Sequence, residues 1–276
     1  MSSGSARWED DVKNDEAYNN RGYITGAEEY PPRWAAAAEA FRSALLSDNR
    51  AQLDLAYGPD PRERLDLFFP VGTPKGVSVF VHGGYWRLFD RSIWSHFASG
   101  CVARGWAVAV PSYPLAPQAR IAAITQSAAH AVALAAMKVA GPVTLSGHSA
   151  GGHLVARMVC ADSPLPEDIA VRLAAVVPIS PVADLRPLIE TSMNADFQLD
   201  QAAARAESPA LLTKRPDIPV HILVGGDERP AFLDQARWLA DAWSETTLEI
   251  APSRHHFDVI DALCGADSAL VMRLTP

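Results

Sequence analysis

The chain predicts an α/β fold built on a mostly parallel sheet with helices on both faces. Short runs at 77–81, 106–110, 173–179 and 220–224 are almost wholly apolar, as strands covered on both sides are. Helical patterns separate them, most clearly at 121–139 and 230–243. The 276 residues are 49% hydrophobic and 20% charged, a globular composition at a length one large domain can hold.

The elements follow in order. Residues 1–50 form a helical, polar-aromatic lead-in, with an amphipathic stretch at 34–41. Runs at 53–57 and 65–69, separated by Gly58-Pro59-Asp60-Pro61, predict a hairpin or meander at one sheet edge. The strand at 77–81 is followed by a helical stretch at 91–104, then the strand at 106–110 and the helix at 121–139. A strand at 143–145 leads to a helix over 153–160, and another strand occupies 173–179. Residues 181–216 are irregular and contain proline, predicting a cap-like insertion at the carboxyl edge of the sheet, where open α/β sheets bind ligands. The strand at 220–224, the helix at 230–243, a strand at 248–250 and a mostly helical stretch at 257–274 complete a single domain over 1–276.

Charge and cysteine content narrow the function. Thirty-two acidic residues exceed 24 basic ones, and the net charge of -8 argues against nucleic acid or an anionic membrane as partner. No apolar run reaches the roughly 18 to 20 residues that span a bilayer. The N-terminus is polar and acidic, without a signal-peptide core. Cys101, Cys160 and Cys264 are odd in number and scattered, so free thiols and a cytoplasmic setting are expected.

The chemistry is concentrated in two motifs and two loops. Gly147-His148-Ser149-Ala150-Gly151 matches G-x-S-x-G between a strand and a helix, the context in which a sharp turn lifts a serine hydroxyl clear of the backbone. The alternative is a small-residue turn that happens to match. His82-Gly83-Gly84-Tyr85-Trp86 follows the strand at 77–81; its glycines let the backbone turn so that the amides of Gly83 and Gly84, with that of Ala150, form an oxyanion hole. His82 reads as a structural hydrogen-bonder there, and Tyr85 and Trp86 as pocket walls. A base belongs after the last strand, at His255 or His256, and the acid after the strand at 220–224, at Asp227 or Glu228. His153 and His221 fall inside regular elements and read as packed side chains. Neighbouring histidines without further ligands make a poor metal site, so neither a metal nor a cofactor is expected.

With these residues in place the chain resembles the α/β-hydrolase superfamily, and within it the kynurenine formamidase (arylformamidase)-like esterases. The resemblance rests on H-G-G-Y-W at 82–86, G-H-S-A-G-G at 147–152 and H-H-F at 255–257. Tyr57-Gly58-Pro59 leading into Arg64-Leu65-Asp66-Leu67 and Tyr113-Pro114-Leu115-Ala116-Pro117 add to it, as do Tyr18-Asn19, Tyr30 and Trp34. It implies Ser149 as nucleophile, His256 as base and Glu228 as acid, the last standing where the family usually has aspartate. It also implies hydrolysis of a small amide or ester bond, N-formyl-arylamine hydrolysis first. A broad short-chain carboxylesterase is the second reading. A catalytically silent small-molecule-binding member of the fold is the third, and an intact serine, histidine and acid set argues against it.

Overall fold

In a computed structural model describing residues 14–276, the apolar runs become one eight-stranded sheet in the order β1-β2-β4-β3-β5-β6-β7-β8. Its strands are β1 (Ala51–Ala56), β2 (Arg64–Phe68), β3 (Val77–Val81), β4 (Ala107–Pro111), β5 (Val143–His148), β6 (Leu173–Ile179), β7 (Val220–Gly225) and β8 (Thr246–Ala251). β1 pairs antiparallel with β2, and β2 with β4; every other pairing is parallel. The part of the lead-in before residue 14 lies outside the described residues.

Alternation along each strand sends neighbouring side chains to opposite faces, and two cores result. On one face Val79, Val81, Leu145, Val176 and Ile222 pack beneath α2 (Ile121–Lys138), α3 (Ala150–Met158) and α4 (Pro230–Ala242). On the other, Phe68, Phe80, Val108, Val177 and Leu223 meet Trp34 of α1 (Tyr30–Ser47) and Leu270 and Leu274 of α5 (Ala269–Leu274). β3 and β4 are buried at every position, which is why their sequences carry no polar alternation beyond Ser78.

Two expected helices are interrupted. The stretch at 91–104 begins as 3-10 turns at Arg91–Ile93 and Ser95–Ala98 before a short α-turn at Ser99–Ala103. Three residues per turn align Trp94 with Phe97, and both enter the core. The stretch at 257–274 divides at Gly265 into a 3-10 segment (Val259–Cys264) and α5. Residues 181–216 carry short turns of helix, tied to the loop after β3 by an ion pair between Arg87 and Asp196 (2.7 Å).

Candidate active site

β5 ends in a turn that only a narrow sequence can make. Ser149 sits at φ 57°, ψ -116°, a strained conformation for a residue with a side chain, between β5 and the first turn of α3. The small residues around it are dictated by contact. A Cβ on Gly147 would lie 2.2 Å from the Gly151 carbonyl oxygen, and one on Gly151 would lie 2.0 Å from that of Val81. The turn is held by the Ser149 N–H donating to the Ile179 carbonyl (2.8 Å). Because Ala150 opens α3, its amide has no intrahelical acceptor, and the positive end of the helix faces the serine.

The loops after β7 and β8 bring a carboxylate and an imidazole together. His256 Nδ1–H donates to Glu228 Oε2 at 2.6 Å, with both side chains buried. That bond fixes the neutral tautomer in which Nε2 is an acceptor, the form a general base needs. The other carboxylate oxygen, Oε1, accepts from the Gly225 N–H (2.8 Å) and from the Ser180 hydroxyl (2.5 Å). His148 Nε2–H donates to the His256 carbonyl (2.8 Å), so the residue before the serine holds the loop that carries the imidazole. No hydrogen bond joins Ser149 Oγ to the imidazole among the described residues; such bonds commonly tighten only when substrate binds.

The neighbours of these groups point elsewhere. Asp227 is exposed, and its amide donates to the Arg254 carbonyl (2.9 Å). His255 turns outward to Tyr30, its Nε2 3.0 Å from the hydroxyl. His153 donates to the Glu207 carbonyl (2.7 Å), and burial lowers its pKa to about 3. His221 lies in β7 and meets Thr247 Oγ1 at 2.7 Å. His82 is buried between Tyr113 and Trp94, donates to the Gly83 carbonyl (2.7 Å), and is held down to about 4 by desolvation. Among the described residues no three His, Cys, Asp or Glu side chains gather where they could share a metal ion.

The loop after β3 runs against the serine. A Cβ on Gly83 would lie 3.1 Å from Ser149 Cβ, and Gly84 adopts φ 118°, where a Cβ would lie 2.5 Å from the Leu88 carbonyl oxygen. Among the described residues no backbone acceptor takes the amide of either glycine. Tyr85 and Trp86 continue the left-handed turn at φ 54° and 55° and part company. Tyr85 lines a cavity of about 430 Å³ that also contains Ser149, His256 and Gly84 in its wall. Trp86 does not: fully buried, it packs edge-on against His153 (5.1 Å) and Phe197 (5.6 Å) under the loop. The expectation of a second aromatic pocket wall at Trp86 is therefore corrected to a core role.

Half of the cavity lining, including Leu88, Phe89 and Trp94, lies outside the sequence motifs. Its sides are Leu88, Phe89, Trp94 and Phe257, and its outer wall is the lead-in, through Ala27, Pro31 and Trp34, with Arg21 and Glu28 at the mouth. Residues 181–216 contribute nothing to this lining. The Tyr85 hydroxyl fastens the lead-in, donating to the Tyr18 carbonyl (2.5 Å) and accepting from the Asn20 amide (3.3 Å). Arg229 adds a bond to the Asn19 carbonyl (2.9 Å) and lies over the Tyr23 ring. Ser180 was also missed; the available signal was its place just beyond the carboxyl end of β6.

Comparison with known proteins agrees with this architecture. Residues 78–227 match the model of an α/β-hydrolase fold family, and the chain belongs to that family. It is a hydrolase. It is 25% identical over 236 residues to a kynurenine formamidase of Salmo salar, covering 80% of each chain. With a kynurenine formamidase of Drosophila melanogaster the identity is 27%, over 78% of this chain and 77% of the relative. A crystal structure from Silicibacter sp. TM1040, provisionally assigned as a thioesterase, superposes with a TM-score of 0.93 at 54% identity, covering 96% of this chain and 99% of that one. Esterase B from Lactobacillus rhamnosis shares the fold at TM-score 0.64 and 18% identity, over 91% and 94%.

Proposed function

We infer that the protein is a serine hydrolase that cleaves N-formyl-arylamines of the formylkynurenine type through an acyl-enzyme. The observation that carries this reading is the cavity, an aromatic-walled space of about 430 Å³ with both Ser149 and His256 in its wall. In this scheme His256 Nε2 takes the Ser149 proton as Oγ adds to the formyl carbonyl. The amides of Gly83, Gly84 and Ala150 receive the oxyanion, where losing one such donor typically costs ~3 kcal/mol. The imidazolium, stabilised by Glu228, gives its proton to the departing arylamine, and water then releases formate by the same route. Arg21 and Glu28 form no ion pair among the described residues, so the mouth offers one charge of each sign to the carboxylate and ammonium of an amino-acid side arm. The relatives named kynurenine formamidase support the same substrate class.

The whole chain acts as one domain in this proposal. Of the lead-in at 1–50, the described part walls the cavity between Arg21 and Trp34, and 181–216 cap the adjoining stretch of the sheet's carboxyl edge. Three cysteines without disulfides suit a reducing, cytoplasmic setting. The likeness to a structure provisionally assigned as a thioesterase favours one second reading, acyl ester or thioester cleavage by the same groups.

The deciding experiment compares kcat/KM for N-formylkynurenine, formanilide, p-nitrophenyl acetate, p-nitrophenyl butyrate and an acetyl thioester in one buffer. Formyl should lead acetyl, and acetyl should lead butyryl, by roughly ten- to two-hundredfold per methylene when leaving groups are matched, if Tyr85 in the cavity wall narrows the acyl side as proposed. N-formylkynurenine should exceed formanilide through the charged mouth. Ser149→Ala should abolish all of these activities together, and a fluorophosphonate should label Ser149 once per chain. No formanilide turnover beside a butyrate rate above the acetate rate would leave an esterase, and labelling away from Ser149 would remove the nucleophile.

A further inference from the structure

The acid of this site is a glutamate, one methylene longer than aspartate, and a longer arm loses more rotamer freedom when fixed. Something must hold it. Glu228 Oε2 meets His256, and the other hydrogen bonds on the carboxylate fall on Oε1. That oxygen has two donors: the Gly225 N–H, at the end of β7 three residues before Glu228, and the Ser180 hydroxyl, which arrives from a different strand end 48 residues away. Ser180 is wholly buried and its own N–H is tied to the Leu223 carbonyl (2.7 Å), so its position is set by the pairing of β6 with β7. Its backbone is also left-handed, at φ 47°, a conformation that favours glycine and that disfavours a side chain. Strain at a buried residue whose hydroxyl meets the carboxylate at 2.5 Å points to a role for that hydroxyl.

We propose that Ser180 is the positioning residue of this site: its hydroxyl, presented by the left-handed turn after β6, fixes Glu228 so that Oε2 faces His256. It touches neither substrate nor the reacting atoms, and acts through Glu228 alone. The inference rests on the reading of Glu228 and His256 as acid and base.

Ser180→Gly separates the hydroxyl from the fold, since glycine relieves the strain that serine bears at φ 47°. With p-nitrophenyl acetate as substrate, kcat should fall about ten- to hundredfold, the range for losing a hydrogen bond to a buried charge, with KM changing less than about twofold. Tm should stay level or rise. A solely structural serine would instead couple any loss of activity to a loss of stability.

The second readout is a double-mutant cycle. In a Glu228→Ala background Ser180→Gly should change kcat less than about twofold, because the group it positions is gone. The far-downfield proton resonance of the His256–Glu228 bond should broaden or vanish in Ser180→Gly and persist in the wild type. If glycine at 180 proves too flexible to fold, Ser180→Ala carries the same cycle, with stability read by urea denaturation. Two independent, multiplying losses, or a Ser180→Gly enzyme retaining more than half its kcat, overturn the proposal. Should Glu228→Ala and His256→Ala themselves be harmless, it is the acid–base reading that fails, a distinct result.

Discussion

The imidazole of His256 is held from two sides, by Glu228 at Nδ1 and by the His148 side chain at its own backbone carbonyl. Adjacent residues on an extended loop project oppositely, so His255 is carried away to Tyr30 by the same geometry that seats His256. The carboxyl pair divides similarly: Glu228 is buried, whereas Asp227 is in water. The expected outcome for four alanine variants follows directly. His256→Ala should lower kcat by several orders of magnitude, and His255→Ala by less than about threefold. Glu228→Ala should cost less than His256→Ala but far more than Asp227→Ala, as removing an acid generally does. Steady-state kinetics on one aryl ester checks all four, and an inactive Asp227→Ala enzyme beside an active Glu228→Ala enzyme would exchange their roles. At this scale the sequence spoke unevenly. The turn at Ser149 is legible because a sharp strand-to-helix turn needs glycines at fixed offsets. The carboxylate that meets His256 is less so: two adjacent carboxylates differ only in which way the loop after β7 turns, and only the family resemblance points to Glu228. Trp86 was misjudged because a left-handed turn separates it from Tyr85, and pattern reading cannot see that separation.

Elements succeed or fail here according to how local their causes are. Strands β3, β4, β6 and β7 are plain from their almost wholly apolar runs, and the helices at α2 and α4 from their period. The segment at 91–104 was read as one helix because 3-10 and α-turns share nearly the same apolar spacing over a single turn. The lead-in was recognised as helical, but nothing local in it says that Trp34 meets Trp94 or that Pro31 borders the cavity. Those contacts depend on the Tyr85 hydroxyl and Arg229 pulling the chain across the sheet edge. The elbow, by contrast, is packed by backbone, so its tolerance can be forecast. Gly151→Ala would set a Cβ 2.0 Å from the Val81 carbonyl, where β3 and α3 cannot both stay. It should destabilise by about 3 kcal/mol or more, at the top of the range for overpacking. Gly72→Ala, with nothing within 4 Å but φ 81°, should cost only about 1 kcal/mol. Urea denaturation of the two variants makes the comparison, and equal losses would refute the packing account of the motif.

Over the whole molecule, the same packing that builds the site buries histidines with no room for their charged form. His82 stacks between Tyr113 and Trp94, His148 precedes the serine, and His153 lies on α3 against Trp86. Desolvation lowers His82 from 6.5 to about 4 and His153 to about 3, and it pushes His148 well below its ordinary value, helped by the neighbouring His256. After burial, the Glu207 carbonyl that His153 bonds opposes the shift, and the smaller effect of the Arg157 charge adds to it. In the unfolded chain these rings titrate near 6.5, so below that pH the unfolded state binds protons that the folded state refuses. Stability is therefore complete above about pH 6.5 and is lost as the pH falls toward the folded values. Each ring contributes up to ~1.4 kcal/mol per pH unit across that window. The test is unfolding free energy by urea at steps from pH 7.5 to 5, above the range where ordinary carboxylates add their own dependence. The wild type should weaken steadily below pH 6.5. His153→Gln, whose amide can donate to the Glu207 carbonyl without titrating, should show a slope shallower by about one proton's worth, ~1.4 kcal/mol per pH unit. A flat wild-type profile, or an unchanged slope in His153→Gln, would show that these rings take up protons within the folded core.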